Sequence, residues 1–280
     1  MSTAKDTRRI IITADDFGLT EGINKGIIDA FRYGIITRTS LLPCAMAFDH
    51  AVALAKQNPG LNIGVHLTLV GETPVSSPDK IRSLVDSNNI FYKDHQVFLL
   101  KYFLKKIKLE EVYYEFEAQI KKILDVGIII THIDSHQHLH VLPGVFQETI
   151  ALAKKFKIRN IRIIKQDYLN IRSLKELALV ILSGSAIKKC KKMKLNTDIA
   201  FADEFWGLNR SGLIREDDLL NLFDRINSGV TEVMCHPGYG DEKYSKRYSH
   251  WGYNPDRELK ALVSQNVKNK LKSQKIETIS

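Results

Sequence analysis

Four of the chain's nine histidines lie within the ten-residue stretch THIDSHQHLH. His136, His138 and His140 are spaced by two, so in an extended chain their side chains would share one face. Clustered imidazoles resist protonation and offer the neutral nitrogens that bind a metal ion. The spacing does not decide which of them, or His132, is a ligand, and Asp134 suits either a ligand or a carboxylate that orients an imidazole. We predict a metal site here.

Ionisable residues also end three other apolar runs. IIITADD ends in Asp15 and Asp16, NIGVHLTL contains His66, and TEVMCHPG reaches His236. Adjacent side chains on a strand point in opposite directions, so one of the two aspartates could bind a metal while the other acts as a base. Capping of the following helix by Asp16 or Thr20 is the alternative, and His66 by itself also fits a buried core position. Proline and glycine after His236 predict a tight turn that holds its imidazole near the strand end.

Short apolar runs alternate with segments of helical period, which is typical of βα repeats and a parallel sheet. The predicted strands are RRIIITADD, SLLPCAM, NIGVHLTLV, GIIITHID, IRNIRII, TDIAFADEF and VTEVMCHPG. Helices are predicted at EGINKGIIDAFRYG, with Gly34 at its end, at DHAVALAKQNPG, and at LEEVYYEFEAQIKKILDVG, with an apolar stripe from Val112 to Leu124. We predict one α/β domain of barrel type over residues 1–280. The strand ends of a parallel barrel meet at one face, so the four ionisable groups should converge there.

A long polar segment at residues 71–95 is rich in turn residues and is predicted to cross the barrel mouth. Trp206 and Trp251 follow predicted strands, where an indole could stack on a sugar. Packing of the barrel rim explains either tryptophan equally well.

With 44% hydrophobic and 26% charged residues, the chain can bury a sizeable core. We find no signal peptide and no apolar window long enough to span a membrane. Cys44, Cys190 and Cys235 are widely spaced and odd in number, which argues against a disulfide framework. A cytoplasmic location is expected.

The net charge of +9 lies in dispersed lysines and in clusters such as KKCKKMK. A solvated lysine face explains this cluster, and peripheral contact with an anionic membrane is the alternative, helped by the preceding apolar run LALVILSGSAI. No aromatic residues are interleaved with the lysines and no nucleic-acid-binding motif is present, so we expect no nucleic-acid partner.

Together, TADDFG, GVHLTL, THIDSHQHLH and CHPGY closely resemble the YdjC/ChbG-like carbohydrate deacetylases, over residues from about 8 to 255. A C-terminal helix and tail would occupy about 256–280. VDSNNIFYKD and HVLPGVFQETIALAKKFKIRNIRI are most similar to the hopanoid-biosynthesis-associated HpnK subgroup. The resemblance implies a distorted TIM-like (β/α) barrel that uses one divalent metal ion to remove acetyl groups from N-acetylated amino sugars, and it suggests a homodimer.

Matched residue by residue, the resemblance implies metal ligation by Asp16, His66 and His136. It implies that Asp15 is the general base and that His236 lies near the leaving group. The family is described as magnesium-dependent, whereas a donor set of two imidazoles and one carboxylate also suits zinc, manganese or cobalt.

His138 and His140 match further histidines of the same motif. With Trp206 and Trp251 they are predicted to contact the substrate. The acetylated amino sugar is either a free oligosaccharide or a lipid-linked sugar such as a hopanoid glycolipid. A metal-dependent phosphoesterase on a similar barrel is the alternative activity, although such sites usually hold more than one metal ion.

Overall fold

The computed structural model of the chain describes residues 7–165 and 198–280, with 177, 178, 180–182, 184, 185 and 188 between them. The strands are β1 (Arg8–Phe17), β2 (Arg38–Leu41), β3 (Asn62–Leu67), β4 (Ile130–Ser135), β5 (Asn160–Ile161), β6 (Glu204–Trp206), β7 (Gly229–Cys235) and β8 (Glu277–Thr278). The helices are α1 (Glu21–Tyr33), α2 (Phe48–Lys56), α3 (His95–Phe103), α4 (Leu109–Asp125), α5 (Val145–Lys155), α6 (Glu216–Phe223), α7 (Glu242–Tyr248), α8 (Pro255–Val263) and α9 (Gln265–Ser273).

The strands form one parallel sheet in the order β5-β4-β3-β2-β1-β7-β6. An isolated parallel bridge between Asn160 and Ala200 links the two ends of this order. The backbone N–H of Phe205 also donates to the carbonyl of Lys165, at 2.7 Å. The sheet therefore curls into a distorted TIM-like barrel of the α/β class, which confirms the predicted fold.

The first βα unit shows why these residues form these elements. Ile10 and Ile12 of β1 are fully buried in the core between sheet and helices. The hydroxyl of Thr20 accepts the N–H of Ile23 and caps α1, and Gly34 follows its last turn as predicted. Because Thr20 is the cap, Asp16 is left available for other contacts.

The apolar stripe of α4 is confirmed over Val112, Phe116 and Ile120, which are fully buried. Leu124 was predicted to continue this stripe, but it is 38% exposed. Each step of four residues advances about 40° beyond a full turn of an α-helix, so positions spaced by four drift around the helix. After three such steps Leu124 has left the buried face.

Three predicted strands are shorter than their apolar runs. Of SLLPCAM, only Ser40 and Leu41 belong to β2. The strand ends there because Pro43 has no N–H for a ladder, and the N–H of Ala45 donates back to the carbonyl of Leu42. IRNIRII is paired as a strand only over β5, and TDIAFADEF only over β6. Around these short strands, single hydrogen bonds replace a continuous ladder.

The C-terminal residues also contribute to the sheet. β8 pairs with Arg9 and Ile10 of β1. These residues precede Thr13, where the pairing of β1 with β2 begins. The division into a core and a C-terminal tail stays a prediction.

In the described part of the chain, no helix combines the length and the apolar character needed to cross a membrane. The run LALVILSGSAI is described only in part, and KKCKKMK lies outside the described residues except for Lys188.

Candidate metal and acid–base site

Ionisable side chains converge at the carboxyl ends of the strands. Asp16 lies near the end of β1, His66 on β3, and His136 directly after β4. His66 Nε2 lies 3.4 Å from Oδ1 of Asp16, and His136 Nδ1 lies 3.1 Å from the same oxygen. One donor atom from each residue lies within 4.8 Å of the other two. The predicted ligand set is therefore assembled from residues up to 120 positions apart in the sequence.

The backbone at the end of β1 turns the two aspartates apart. The pairing of β1 with β2 shifts register between Ala14 and Phe17, and Asp16 has a φ of 65°. This left-handed conformation is unfavourable for most non-glycine residues, and aspartate is among those that tolerate it best. Bulges of this kind re-aim side chains next to functional sites. Here Asp16 faces the histidines, whereas Asp15 faces a buried arginine.

His66 is oriented by a carboxylate behind it. Its Nδ1 lies 2.8 Å from Oδ1 of Asp134, and the hydroxyl of Ser40 donates to Oδ2 of Asp134 at 2.6 Å. Burial lowers the pKa of His66, but the carboxylates of Asp134 and Asp15 outweigh it and raise that pKa to about 10. The carboxylates around His66 thus stabilise a positive charge at this position. Nε2 of His66 is the nitrogen directed at Asp16.

These observations fit one divalent ion held by Asp16, His66 and His136. Two imidazole nitrogens and a carboxylate oxygen are a donor set common to divalent transition metals, and a carboxylate behind a ligating histidine is typical of such sites. A second cluster, Asp15 with His66 and Asp134, shares His66 with the first.

Arg162 neutralises this second cluster. It is fully buried, and its guanidinium binds both carboxylate oxygens of Asp15, at 2.6 and 2.8 Å. It also lies 2.8 Å from Asp134 and 2.7 Å from Glu232. Burial raises the pKa of Asp15, and the charge of Arg162 opposes that rise. Asp15 is therefore a rigidly held carboxylate beside the ligand set.

Our sequence reasoning missed Arg162. The available signal was an arginine inside the apolar run IRNIRII, since a charged residue on a short barrel strand is rarely buried without a partner. Glu232 in TEVMC and Arg38 in TRTSLL carry the same signal, and these two side chains form a buried pair at 2.9 Å.

The prediction that His136, His138 and His140 share one face is wrong. The strand ends at Ser135 and the chain continues as a tight turn over His136–Val141, in which Gln137 and His138 have left-handed φ angles of 55° and 57°. The alternation of an extended strand therefore stops just before His136. Only His136 of the three turns toward Asp16. The ring of His138 packs edge-on against Phe205, with centroids 5.8 Å apart, and burial holds its pKa well below the usual value.

Both ring nitrogens of His140 are occupied. Nε2 lies 2.8 Å from the carbonyl oxygen of Arg162 and must donate to it, so Nδ1 accepts from the hydroxyl of Ser135 at 2.6 Å. The side chain is fully buried, and burial lowers its pKa to about 4. This placement disfavours the predicted contact of His140 with substrate and suits a role in holding the segment directly after β5, which contains Arg162.

His236 follows β7 and lines a narrow cavity of about 10 Å³ with Asp15 and Asp16. That volume is about what one water molecule requires. The backbone N–H of His236 donates to Glu258, and its ring packs on Tyr253 with centroids 4.8 Å apart. Among the described residues, Nδ1 of His236 has no hydrogen-bond partner, and burial lowers the pKa of the ring. A neutral imidazole with a free nitrogen thus faces the two aspartates.

A larger cleft of about 420 Å³ opens beside His136. Trp251 and Tyr253 line this cleft together with Gly71 and Lys93, so the 71–95 segment borders the mouth as predicted. Trp251 lies 5.0 Å from the ring of His136. Trp206, by contrast, is half-buried on β6, packs against the core, and is not among the residues that line this cleft.

Comparisons with known proteins show the family to which the chain belongs. The model of the family described as YdjC-like protein matches residues 9–273. A carbohydrate deacetylase of Clostridium beijerinckii (strain ATCC 51743 / NCIMB 8052) is 34% identical over 97% of this chain and 98% of its own length. One of Vibrio parahaemolyticus serotype O3:K6 (strain RIMD 2210633) is 31% identical over 94% and 91%.

Among solved structures, a proposed cellobiose-phosphate cleavage protein of Enterococcus faecalis V583 superposes with a TM-score of 0.78. It is 30% identical, and the match covers 98% of this chain and 97% of that one. A family model that spans nearly the whole chain, together with relatives of equal length, shows that this chain belongs to the YdjC-like protein family.

Proposed function

We propose that the protein is a carbohydrate N-deacetylase, a metal-dependent hydrolase that removes the acetyl group from an acetylated amino sugar. The proposal rests mainly on the geometry of the site. The ligand set Asp16, His66 and His136 lies beside the buried carboxylate of Asp15 and the imidazole of His236. The curated relatives, which are named carbohydrate deacetylases, support this reaction.

One divalent ion on Asp16, His66 and His136 would supply Lewis-acid polarisation of the acetyl carbonyl and a lower pKa for the attacking water. We propose magnesium from the family resemblance, with zinc, manganese and cobalt as the ions to compare. Asp134 would hold His66 in the orientation that directs Nε2 toward the site.

The residues of this chain would move the protons. Asp15 would accept the proton of the attacking water, since it lines the narrow cavity and Arg162 holds it in one orientation. His236 lines the same cavity from the carboxyl end of β7, the strand that pairs with β1. Its imidazole is neutral at rest, and the negative charge that develops on the former carbonyl oxygen would favour transfer to this imidazole of the proton that Asp15 has taken from the water. It would then donate that proton to the leaving amine.

The sugar would occupy the cleft next to His136, with one apolar face on the indole of Trp251. Trp206, His138 and His140 would shape the barrel interior rather than contact the sugar. The substrate would be either a free oligosaccharide or a lipid-linked sugar, of which a hopanoid glycolipid is the example that the HpnK resemblance suggests. We also propose a cytoplasmic location, contact with an anionic membrane and a homodimer.

The phosphoesterase alternative is less well supported by the geometry. It would need a second ion at Asp15, His66 and Asp134, but the guanidinium of Arg162 already binds both of these aspartates. Arg162 is therefore paired with carboxylates in the interior and is not available to a phosphate.

Acetate release tests the proposal. Metal-stripped protein would be supplied with single divalent ions and with N-acetylglucosamine compounds, both soluble and lipid-linked. We expect release that depends on the ion and is lost in Asp16→Ala and His136→Ala. Asp15→Asn should keep stoichiometric metal binding and lose at least about a hundredfold in kcat, because the base is removed.

The matched control is Asp49→Asn, which alters an exposed aspartate on α2 and should behave as the unchanged protein. Full turnover in Asp15→Asn would remove Asp15 from the mechanism. Stoichiometric metal binding with no acetate release from any compound would contradict the deacetylase.

A further inference from the structure

The α3 helix exposes apolar side chains that a soluble helix usually hides. Leu100 is 62% exposed, Phe103 64% and Val97 40%, and Leu104, which directly follows the helix, is 56% exposed. At 100° per residue these positions fall within one arc of about 120° on the helix surface. Phe98 on the other side is fully buried, so the helix is anchored by a separate inner face. Single exposed apolar residues are ordinary, but a contiguous group of this kind marks an interaction site.

The flanks of this face are basic. Lys105, Lys106 and Lys108 follow the helix directly and are exposed, and Lys101 lies within it. The sequence contains no aspartate or glutamate from His95 to Leu109. Lysine side chains can lay their apolar stems along such a surface while the ammonium groups remain in water.

The helix also begins at the mouth of the candidate active site. Asp94 caps it by accepting the backbone N–H groups of Gln96 and Val97, and His95 and Gln96 line the same cleft as His136 and Trp251. A partner that covers the outer face of α3 would therefore lie beside the cleft entrance.

We propose that the exposed face of α3, namely Val97, Leu100, Phe103 and Leu104 with the lysines that follow, docks the protein on an anionic lipid surface. An apolar helix face bordered by lysines lies in the interface of a bilayer, with its apolar side chains among the acyl chains and its cations near the anionic headgroups. The net charge of +9 acts in the same direction.

A lipid surface fits this face better than a second copy of the chain. In a two-fold dimer the same patch would meet itself, and residues 95–109 would bring lysines but no carboxylate to that interface. An anionic membrane complements both the apolar and the basic part. Docking in this orientation would present the cleft to a sugar attached to a lipid; that consequence, unlike the docking itself, rests on the proposed function.

Vesicle flotation tests the docking directly. The full chain would be mixed with phosphatidylcholine vesicles, with or without about 30% phosphatidylglycerol. We expect the protein to float with the anionic vesicles only. The double variant Leu100→Ser/Phe103→Ser should bind at least about tenfold more weakly, because two side chains no longer enter the acyl region. Lys105→Glu/Lys106→Glu should also weaken binding.

Two control variants carry the same number and kind of substitutions outside the α3 face. Tyr33→Ser/Ile129→Ser removes two exposed apolar side chains, and Lys25→Glu/Lys56→Glu reverses two exposed lysines. Both controls should float as the unchanged protein does, and circular dichroism should show that all variants are folded.

The proposal is overturned if the unchanged protein does not float with anionic vesicles, or if the α3 variants float equally well. It is also overturned if sedimentation shows a dimer that Leu100→Ser/Phe103→Ser converts to a monomer. Acetate release from the soluble and the lipid-linked compounds, measured without vesicles, separates the two proposals. Its absence together with normal flotation would contradict the deacetylase and leave the docking intact.

Discussion

At the scale of single residues, the burial of Arg162 places one guanidinium among three carboxylates. It binds Asp15 through both oxygens and also contacts Asp134 and Glu232. A planar guanidinium can satisfy this arrangement, whereas a lysine provides only a point charge. Because Asp134 in turn orients His66, Arg162 fixes both the proposed base and the carboxylate behind a proposed metal ligand.

We therefore predict that Arg162→Lys lowers kcat about a hundredfold, since a carboxylate displaced by about 1 Å loses its alignment with the attacking water. Metal content should remain stoichiometric, because none of the proposed ligands is changed. Steady-state kinetics and metal analysis on the same preparation measure both quantities.

Arg38→Lys is the matched control. Arg38 is also buried, but its guanidinium contacts Glu232 and Thr13 rather than Asp15. We expect its kcat to stay much nearer to that of the unchanged protein. Equal losses in the two variants would show that Arg162 acts through general packing of the barrel.

At the scale of elements, a buried glutamate joins two segments that border the cleft. Glu72 begins the 71–95 segment and accepts hydrogen bonds from the Tyr248 hydroxyl at 2.7 Å and from Arg247 at 2.9 Å. Both partners belong to the end of α7. Tyr248 packs on Trp251 with ring centroids 4.7 Å apart, and Trp251 contacts His136. Glu72 therefore positions the aromatic wall that we assign to the sugar.

For Glu72→Gln we predict a KM about tenfold higher with little change in kcat or metal content. The charge that holds Arg247 is lost and the indole is less well placed, while the reacting groups stay in position. The readout is the separate determination of kcat and KM on a soluble substrate.

Glu242→Gln offers a control on the same α7 helix, where the carboxylate pairs with Lys246 at the solvent surface. It should leave both constants unchanged. A fall in kcat at constant KM in Glu72→Gln would contradict the positioning role.

At the scale of the whole molecule, the barrel interior contains histidines that burial keeps neutral. Burial lowers the pKa of His140 to about 4, whereas a histidine in the unfolded chain titrates near 6.5. The unfolded chain thus binds the proton more tightly. The stability that His140 contributes is complete above pH 6.5 and is lost as the pH falls from 6.5 toward 4.

In His140→Gln this loss cannot occur. The difference in free energy of unfolding between the unchanged protein and the variant should therefore shrink by ~3 kcal/mol from pH 6.5 to pH 4. Urea unfolding of both proteins at several pH values in this window measures the difference.

His250→Gln serves as the control, because His250 is exposed at the cleft. It should follow the pH dependence of the unchanged protein. A pH-independent gap between the unchanged protein and His140→Gln would mean that His140 accepts its proton in the folded barrel.

The sequence by itself determined the fold class and which ionisable side chains would meet at one face of the barrel. Apolar runs that end in Asp15, Asp16, His66 and His236 sufficed, because parallel strands in a barrel must bring their carboxyl ends to one face. The helix cap at Thr20 could also be proposed from the sequence, because capping is a local hydrogen bond.

Only the tertiary structure decided how the clustered histidines divide their roles and what holds Asp15. The left-handed turn at Gln137 and His138 breaks the alternation that spacing alone implies, and its conformation depends on the surrounding barrel. Arg162 lies 147 positions from Asp15 in the sequence, and no local pattern joins them. Their pairing arises because the folded barrel buries both charges, and two buried charges are stable only when they meet.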